Sequence, residues 1–308
     1  MKDPFSIKYY DRATGSMMAE KVHAARFLRW LYNTGTGVLA CRLLTSNRLF
    51  SAVYGRFHDS GISKLKIKPF VKRMKINMAE SLKQIDDFVS FNDFFTRKIH
   101  PSARPIDERP GACIAPADGK VLVYEKIDAD TTFRIKRCTF NLRDFLKDDV
   151  LARMYSGGSV LISRLSLADY HHFHFPDSSV AHQARPIRGN YHAGASYSRN
   201  RLLPFFTENY RMQTLLSSDH FGWIVMVEVG ALTVGSISQS YEPGKRVSKG
   251  DHKGNFELGG STVVLLFEKG SIRFCKDLLD NTENEIETFV RFGDCVGYSV
   301  QSHGKQEG

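Results

Sequence analysis

The chain has 308 residues, 42% of them hydrophobic, which is enough for a packed core and excludes a disordered protein. Its five cysteines, Cys41, Cys113, Cys138, Cys275 and Cys295, are odd in number and include no CxxC pair, which argues against a disulfide framework or a cysteine-rich zinc site and fits a reducing compartment. The net charge of +10 lies in the N-terminal quarter: residues 1–75 hold 15 Lys or Arg against 4 Asp or Glu, and residues 76–308 hold 28 against 29, so a general polyanion-binding body is not expected and nucleic acid is not an expected partner.

Taken from the start, "MKDPFSIKYYDRATG" lacks the apolar run and small-residue cleavage site of a secretory signal. The best apolar window, "WLYNTGTGVLAC", falls short of the roughly 18 residues that a membrane span needs. Residues 22–57 are more informative. Phe27, Leu28, Trp30, Leu31, Leu39, Leu43, Leu44, Leu49, Phe50 and Val53 recur at rough helical spacing, with Arg26, Arg29, Arg42, Arg48 and Arg56 between them. The basic run "KLKIKPFVKRMK", Lys64 to Lys75, follows. Such a pattern suits helices lying in a lipid headgroup layer, or an ordinary amphipathic helix with a solvated basic face.

Residues 86–110 read as a short helix followed by a proline-punctuated connector, and the main boundary is placed here: 1–85 as an amphipathic, basic helical region and 86–308 as the body. Beyond it the texture turns to short strand-like runs at Lys120–Glu125, Ser159–Arg164, Trp223–Val229, Ala231–Ser238 and Ser261–Glu268. Phe140–Tyr155 is the clearest helical pattern. The expected fold is therefore α+β, with a β-rich domain preceded by amphipathic helices.

Three features could carry chemistry. "APADGKVLV" places Asp118 in a Pro-Asp-Gly-like turn before a strand, where a turn is the ordinary reading and the orientation of a histidine the functional one. "LADYHHFHFPDS" holds His171, His172 and His174; if extended, His172 and His174 face one way and His171 the other. Structural packing, acid–base work and zinc ligation all stay open for this cluster, although no HExxH and no fixed carboxylate ligand accompanies it. "NFELGGSTVVLLFEKG" has Gly259-Gly260-Ser261-Thr262 before the apolar run Val263–Phe267; it is neither a G-x-S-x-G elbow nor a Walker A loop, and alone it reads as a turn.

Together these pieces say more. "FNDFFTRKIHPSARPID", "APADGKV", "DYHHFHFP", "VGSI", Lys249-Gly250 and "FELGGSTV" occur in this order, and the ordered set resembles the phosphatidylserine decarboxylases, pyruvoyl-dependent enzymes that make phosphatidylethanolamine. The resemblance covers roughly residues 86–270 and departs in its Gly-Gly-Ser, where many members have Leu-Gly-Ser.

The resemblance implies self-cleavage of a proenzyme at Gly260–Ser261 into a larger chain (1–260) and a smaller one (261–308). It implies that Ser261 Oγ attacks the Gly260 carbonyl, with His174 as base and Asp118 orienting it. Ser261 then becomes an N-terminal pyruvoyl group, which forms a Schiff base with the substrate amine and acts as an electron sink. His171 is implied in decarboxylation as proton donor. Tyr170 and Phe173 are candidates for the walls of the headgroup site, and His172 has no assigned role. No metal is implied. The implied setting is a peripheral protein on the cytoplasmic face of the cell membrane, acting on phosphatidylserine in an anionic surface, and a homodimer is compatible with it. A zinc hydrolase built on the histidines, or a non-catalytic membrane-surface protein, would leave the Gly-Ser motif unexplained.

Overall fold

A computed structural model describes residues 7–20, 30, 34–37, 55–127, 133–135, 138–189, 205–230, 237–258 and 261–300. Among the described residues an 11-stranded sheet organises the chain. Its path runs Arg246–Val247, Ser179–Ala181, Arg211–Ser218, Gly222–Val229, Ser261–Phe267, Gly158–Leu165, Gly119–Ile127, Glu287–Val290, Ile7–Asp11 and Ser16–Glu20, with Arg185–Ile187 also pairing Arg211–Ser218.

The strand Ser261–Phe267 is central and antiparallel to both neighbours, and all of its residues are buried. Its continuous apolar run follows from burial on both faces. Val263, Leu265 and Phe267 point into one cluster with Phe173, Phe175 and Phe256, which brings in a second sheet formed by Ile237–Gln239, His252–Phe256 and His172–His174. Val264 and Leu266 point the other way, against Leu142, Phe145, Leu146 and Leu151 of two short helices. Period-two alternation therefore decides that Ser261 shares the face of Val263 and looks towards the histidine strand.

The helix expected over Phe140–Tyr155 is two helices, Leu142–Leu146 and Asp149–Met154. Lys147 adopts the left-handed conformation (φ 49°) and stops the first. Asp148 starts the second by accepting from the backbone N–H groups of Val150 and Leu151. The expected strands at Lys120–Glu125, Ser159–Arg164, Trp223–Val229 and Ser261–Glu268 are present with small changes at their ends. Most of Ala231–Ser238 lies outside the described residues, and Ile237–Gln239 is a strand of the second sheet.

The N-terminal region differs from the helical expectation at its start. Ile7–Asp11 and Ser16–Glu20 form a hairpin; Ile7–Asp11 runs parallel to Glu287–Val290, and Ser16–Glu20 is the edge strand. Asp11 accepts from the N–H groups of Ala13 and Thr14, and Gly15 has φ +65°, so the turn is built from Asx bonding and a glycine. Arg164 fastens the hairpin by reaching Glu20 and Glu287, each at 2.8 Å. Nearly all of the stretch 22–54 that carries the amphipathic pattern lies outside the described residues. Of the basic run, Gly61–Lys66 is a 3-10 helix and Ile67–Met74 an α-helix. Among the described residues no helix is long and apolar enough to cross a membrane.

One buried ion pair ties the second sheet to the first. Lys253 and Glu228 have fully buried side chains, and Lys253 Nζ lies 2.9 Å from Glu228 Oε1. Gln239 accepts from Lys253 Nζ at 2.7 Å and donates to Glu228 Oε2 at 3.0 Å. Burial pushes the Glu228 pKa up and the Lys253 pKa down, each against the attraction of its partner. Breaking such a pair strands one charge in the core, at roughly 3–5 kcal/mol. Lys253→Met alone is expected to lower the thermal midpoint by roughly 6–15 °C, and the double variant Glu228→Leu/Lys253→Met to recover most of that loss, as read by calorimetry.

Candidate active site around Ser261

Ser261 opens the central strand opposite Leu165 and is 3% exposed. Its Oγ lies 3.3 Å from His171 Nδ1. The other ring nitrogen, Nε2, lies 3.0 Å from the Ser166 carbonyl, which can only accept. Nε2 therefore carries the hydrogen, and Nδ1 presents its lone pair to the Ser261 hydroxyl. Phe95 stacks on the imidazole at 3.9 Å between centroids and fixes the ring plane.

The carbonyl that sets this tautomer is itself held. Asp169 accepts from Ser166 N at 2.7 Å and from Ser166 Oγ at 2.9 Å, which pins the 166–169 turn. Lys120 Nζ, buried beside them, reaches Asp169 Oδ2 at 2.8 Å and Ser166 Oγ at 2.9 Å. Burial acts to raise the Asp169 pKa, but the charge and hydrogen bond of Lys120 outweigh it and hold the carboxyl below its ordinary range. Asp169 directly precedes Tyr170 in "LADYHHFHFPDS" and Lys120 follows Asp118-Gly119 in "APADGKV", but no spacing marks either of them, or Ser166, as a support of His171.

His172–His174 is extended, so His172 and His174 share a face and His171 turns to the other, towards Ser261. His172 donates through Nε2 to the Thr96 carbonyl at 3.0 Å, and its Nδ1 lies 2.7 Å from His252 Nε2. His174 donates through Nδ1 to the Gly250 carbonyl at 2.9 Å, which leaves Nε2 as the unprotonated nitrogen. That Nε2 is buried and has no hydrogen-bond partner. Burial is the main cause that lowers the pKa of all three: to about 3 for His171, about 4 for His172 and about 3 for His174. All are neutral near pH 7, and each has one ring nitrogen without a hydrogen.

Asp118 is 2% exposed and stands just before the strand Gly119–Ile127. A Cβ on Gly119 would collide with the Ser163 side chain and the Arg164 backbone, so the glycine lets this strand approach its neighbour. The expected hydrogen bond from His174 to Asp118 is not formed among the described residues. Asp118 instead accepts from Arg104 Nε at 2.9 Å, Arg104 Nη2 at 2.6 Å and the Phe292 N–H at 2.8 Å. Arg104 also meets Glu80 at 3.0 Å. Burial opposes the Arg104 charge, but Asp118 and Glu80 outweigh it and raise its pKa. Phe292 stands between the two expected partners: its N–H is on Asp118 and its ring stacks on His174 at 3.7 Å.

Thus the structure brings Ser261 to His171, and links Asp118 to His174 through Phe292. Tyr170 is 7% exposed and stacks on His172 at 4.7 Å, at the edge of the cluster. Phe173 is fully buried: alternation turns it away from the faces of His172 and His174, to the side of His171, where it packs in the main core against Phe256 at 5.0 Å. Gly259 and Gly260 lie outside the described residues. Among the described residues no group of three His, Cys, Asp or Glu is placed to hold a metal ion.

Residues 91–298 match the sequence profile described as phosphatidylserine decarboxylase. The chain is 42% identical over 291 residues to the "Phosphatidylserine decarboxylase proenzyme" of Desulfitobacterium hafniense (strain Y51), covering 94% of this chain and 98% of the relative. It is 40% identical over 294 residues to the protein of the same name from Clostridium beijerinckii, covering 96% and 99%. A third, from Ruminiclostridium cellulolyticum, is 39% identical over 299 residues, covering 97% and 100%.

The buried histidines make stability depend on pH. Their folded-state pKa values lie below the ordinary 6.5, so between pH 6.5 and the lowered values the unfolded chain binds protons that the folded chain does not. Stability from this source is complete above about pH 6.5 and falls on acidification, by up to about 1.4 kcal/mol per pH unit for each histidine. The thermal midpoint is expected to hold above pH 7 and to decline steadily from pH 6.5 to 5; a midpoint unchanged over that span would contradict the burial of these rings.

Proposed function

The chain belongs to the phosphatidylserine decarboxylase family, and from that premise we propose that it decarboxylates phosphatidylserine to phosphatidylethanolamine after cutting itself at Gly260–Ser261. The observation that carries this reading is the buried Ser261 hydroxyl, which faces an imidazole lone pair at the start of the central strand.

In the self-cleavage step Ser261 Oγ loses its proton and attacks the carbonyl carbon of Gly260. The peptide C–N bond breaks and an ester forms. Loss of the residue-261 α-proton then expels the Gly260 carboxylate, and hydrolysis of the resulting dehydroalanine releases ammonia and leaves a pyruvoyl end. Residue 261 suits such a group: it is buried, and the strand that carries it is paired on both sides from its first residues, so the new chain end stays in place.

We assign the hydroxyl proton to His174 on the family resemblance, although the ring that lies at the hydroxyl before cleavage is that of His171, so the transfer needs His174 Nε2 to approach Ser261. The support for His174 is a neutral ring whose buried Nε2 has no other partner, anchored by Gly250 and braced through Phe292 by Asp118. His171 serves turnover, since its Nδ1 reaches the side chain that becomes the reactive group. The pyruvoyl group supplies an electron sink for the pair left when carbon dioxide departs. His171, neutral at rest, takes a proton from the incoming ammonium and returns one to the carbon that has lost carbon dioxide.

The setting is the cytoplasmic face of a membrane. Ile62 and Leu65 are 72% and 79% exposed on the 3-10 helix Gly61–Lys66, beside Lys64, Lys66 and Lys68, and Val89 is 69% exposed. An apolar edge rimmed by lysines suits an anionic lipid surface.

Two sets of variants test the reading. Ser261→Ala and His174→Ala are expected to remain single chains on denaturing gels, whereas His171→Ala is expected to be cut and to lose at least about 100-fold in kcat. Cleaved His174→Ala beside uncut His171→Ala would move the cleavage base to His171. The double variant Ile62→Glu/Leu65→Glu is expected to lose vesicle binding without losing cleavage, measured by co-sedimentation with phosphatidylserine-containing liposomes.

A further inference from the structure

Arg97 follows the helix Phe91–Phe95 by two residues and is 7% exposed. Its Nη2 donates to the Ala168 carbonyl at 2.9 Å and is 3.4 Å from that of Asp169, and its guanidinium lies over the Phe94 ring at 5.1 Å. Its Nη1 is buried and has no hydrogen-bond partner. A buried guanidinium nitrogen left unsatisfied is unfavourable, so its retention calls for a reason.

The carboxylates around it are engaged elsewhere. Arg104 holds Asp118 and Glu80, and Lys120 holds Asp169. Arg97 also borders the reacting centre. Two residues before it Phe95 stacks on His171, and one residue before it the Thr96 carbonyl accepts from His172.

We infer that Arg97 is an anion-binding residue of the substrate site and that it takes the phosphodiester of the lipid headgroup through its free Nη1. The inference rests on the decarboxylase reading and names how that site holds its substrate. In the lipid the phosphate lies between the acyl-bearing glycerol and the reacting serine. Arg97 packs on Phe94 of the Phe88, Phe91 and Phe94 cluster, and Phe95, two residues before it, stacks on His171.

The alternative anion, the serine carboxylate, is disfavoured by the reaction itself. Its charge moves onto carbon as carbon dioxide leaves, so an arginine fixed on it would stabilise the ground state more than the transition state. The phosphodiester keeps its charge throughout, and a guanidinium fork matches it.

The test compares wild type, Arg97→Gln and Arg97→Lys, each checked for cleavage and for thermal midpoint, with phosphatidylserine in mixed micelles. Arg97→Gln is expected to raise KM by about 10- to 100-fold and to change kcat by less than about threefold, the signature of lost uniform binding. Arg97→Lys, which keeps the charge and loses the fork, is expected to fall between the two. Glycerophosphoethanolamine, which lacks the carboxylate, is expected to compete with substrate on wild type and to lose potency in parallel in Arg97→Gln.

An unchanged KM in cleaved Arg97→Gln would overturn the inference. So would a fall in kcat alone, or an arginine dependence confined to glycerophosphoserine. If Arg97→Gln does not fold, wild type decides: competition by glycerophosphoethanolamine no stronger than by ethanolamine would also overturn it. A wild-type protein that is cleaved but releases no carbon dioxide from phosphatidylserine would instead sink the decarboxylase reading.

Discussion

The 3.3 Å approach of Ser261 Oγ to His171 Nδ1 is the contact on which the rest of this structure depends. It needs a serine whose backbone cannot drift and an imidazole with one defined lone pair. The sheet meets the first need by placing Ser261 at the start of its central strand, between two antiparallel neighbours. A relay of buried polar groups meets the second: Lys120 holds Asp169, Asp169 holds the Ser166 turn, and the Ser166 carbonyl occupies His171 Nε2. Each member is satisfied by the next, which is the condition under which buried polar groups rigidify a core instead of weakening it.

Burial has a chemical consequence as well as a structural one. It keeps His171, His172 and His174 neutral, which leaves a lone pair at His171 Nδ1 facing Ser261 and one at His174 Nε2 without a partner, while that of His172 meets His252. The same burial makes the unpartnered atoms conspicuous. His174 Nε2 and Arg97 Nη1 are both enclosed and both lack partners; His174 ends the histidine strand, and Arg97 bonds the turn that precedes it. In the reading proposed here one of them meets the reacting hydroxyl and the other meets the substrate.

Much of the body was legible in the sequence, and for physical reasons. Val263–Phe267 is apolar at every position because the strand is covered on both faces, so its run stands out without alternation. The motif order "ADG", "YHHFH" and "GGST" drew attention to Asp118, His171, His174 and Ser261, which the fold gathers from distant parts of the chain. The split of Phe140–Tyr155 was missed because the apolar spacing continues across it, while the stop is set by a left-handed Lys147 and the restart by the Asp148 cap. The N-terminal hairpin was hidden because Ser16–Glu20 lies almost wholly exposed and shows no core-facing alternation. Phe292 between Asp118 and His174, and Lys120 behind Asp169, are tertiary contacts that no local pattern encodes.

The central claim is that Ser261 begins as a nucleophile and ends as a prosthetic group. The mass of the intact smaller chain from purified protein tests it most directly. The account requires a fragment spanning 261–308 that is lighter than a serine-terminated fragment by one ammonia and is converted to an alanine-terminated fragment by reductive amination with ammonia. A single uncut chain, or a fragment that still begins with serine, would contradict it.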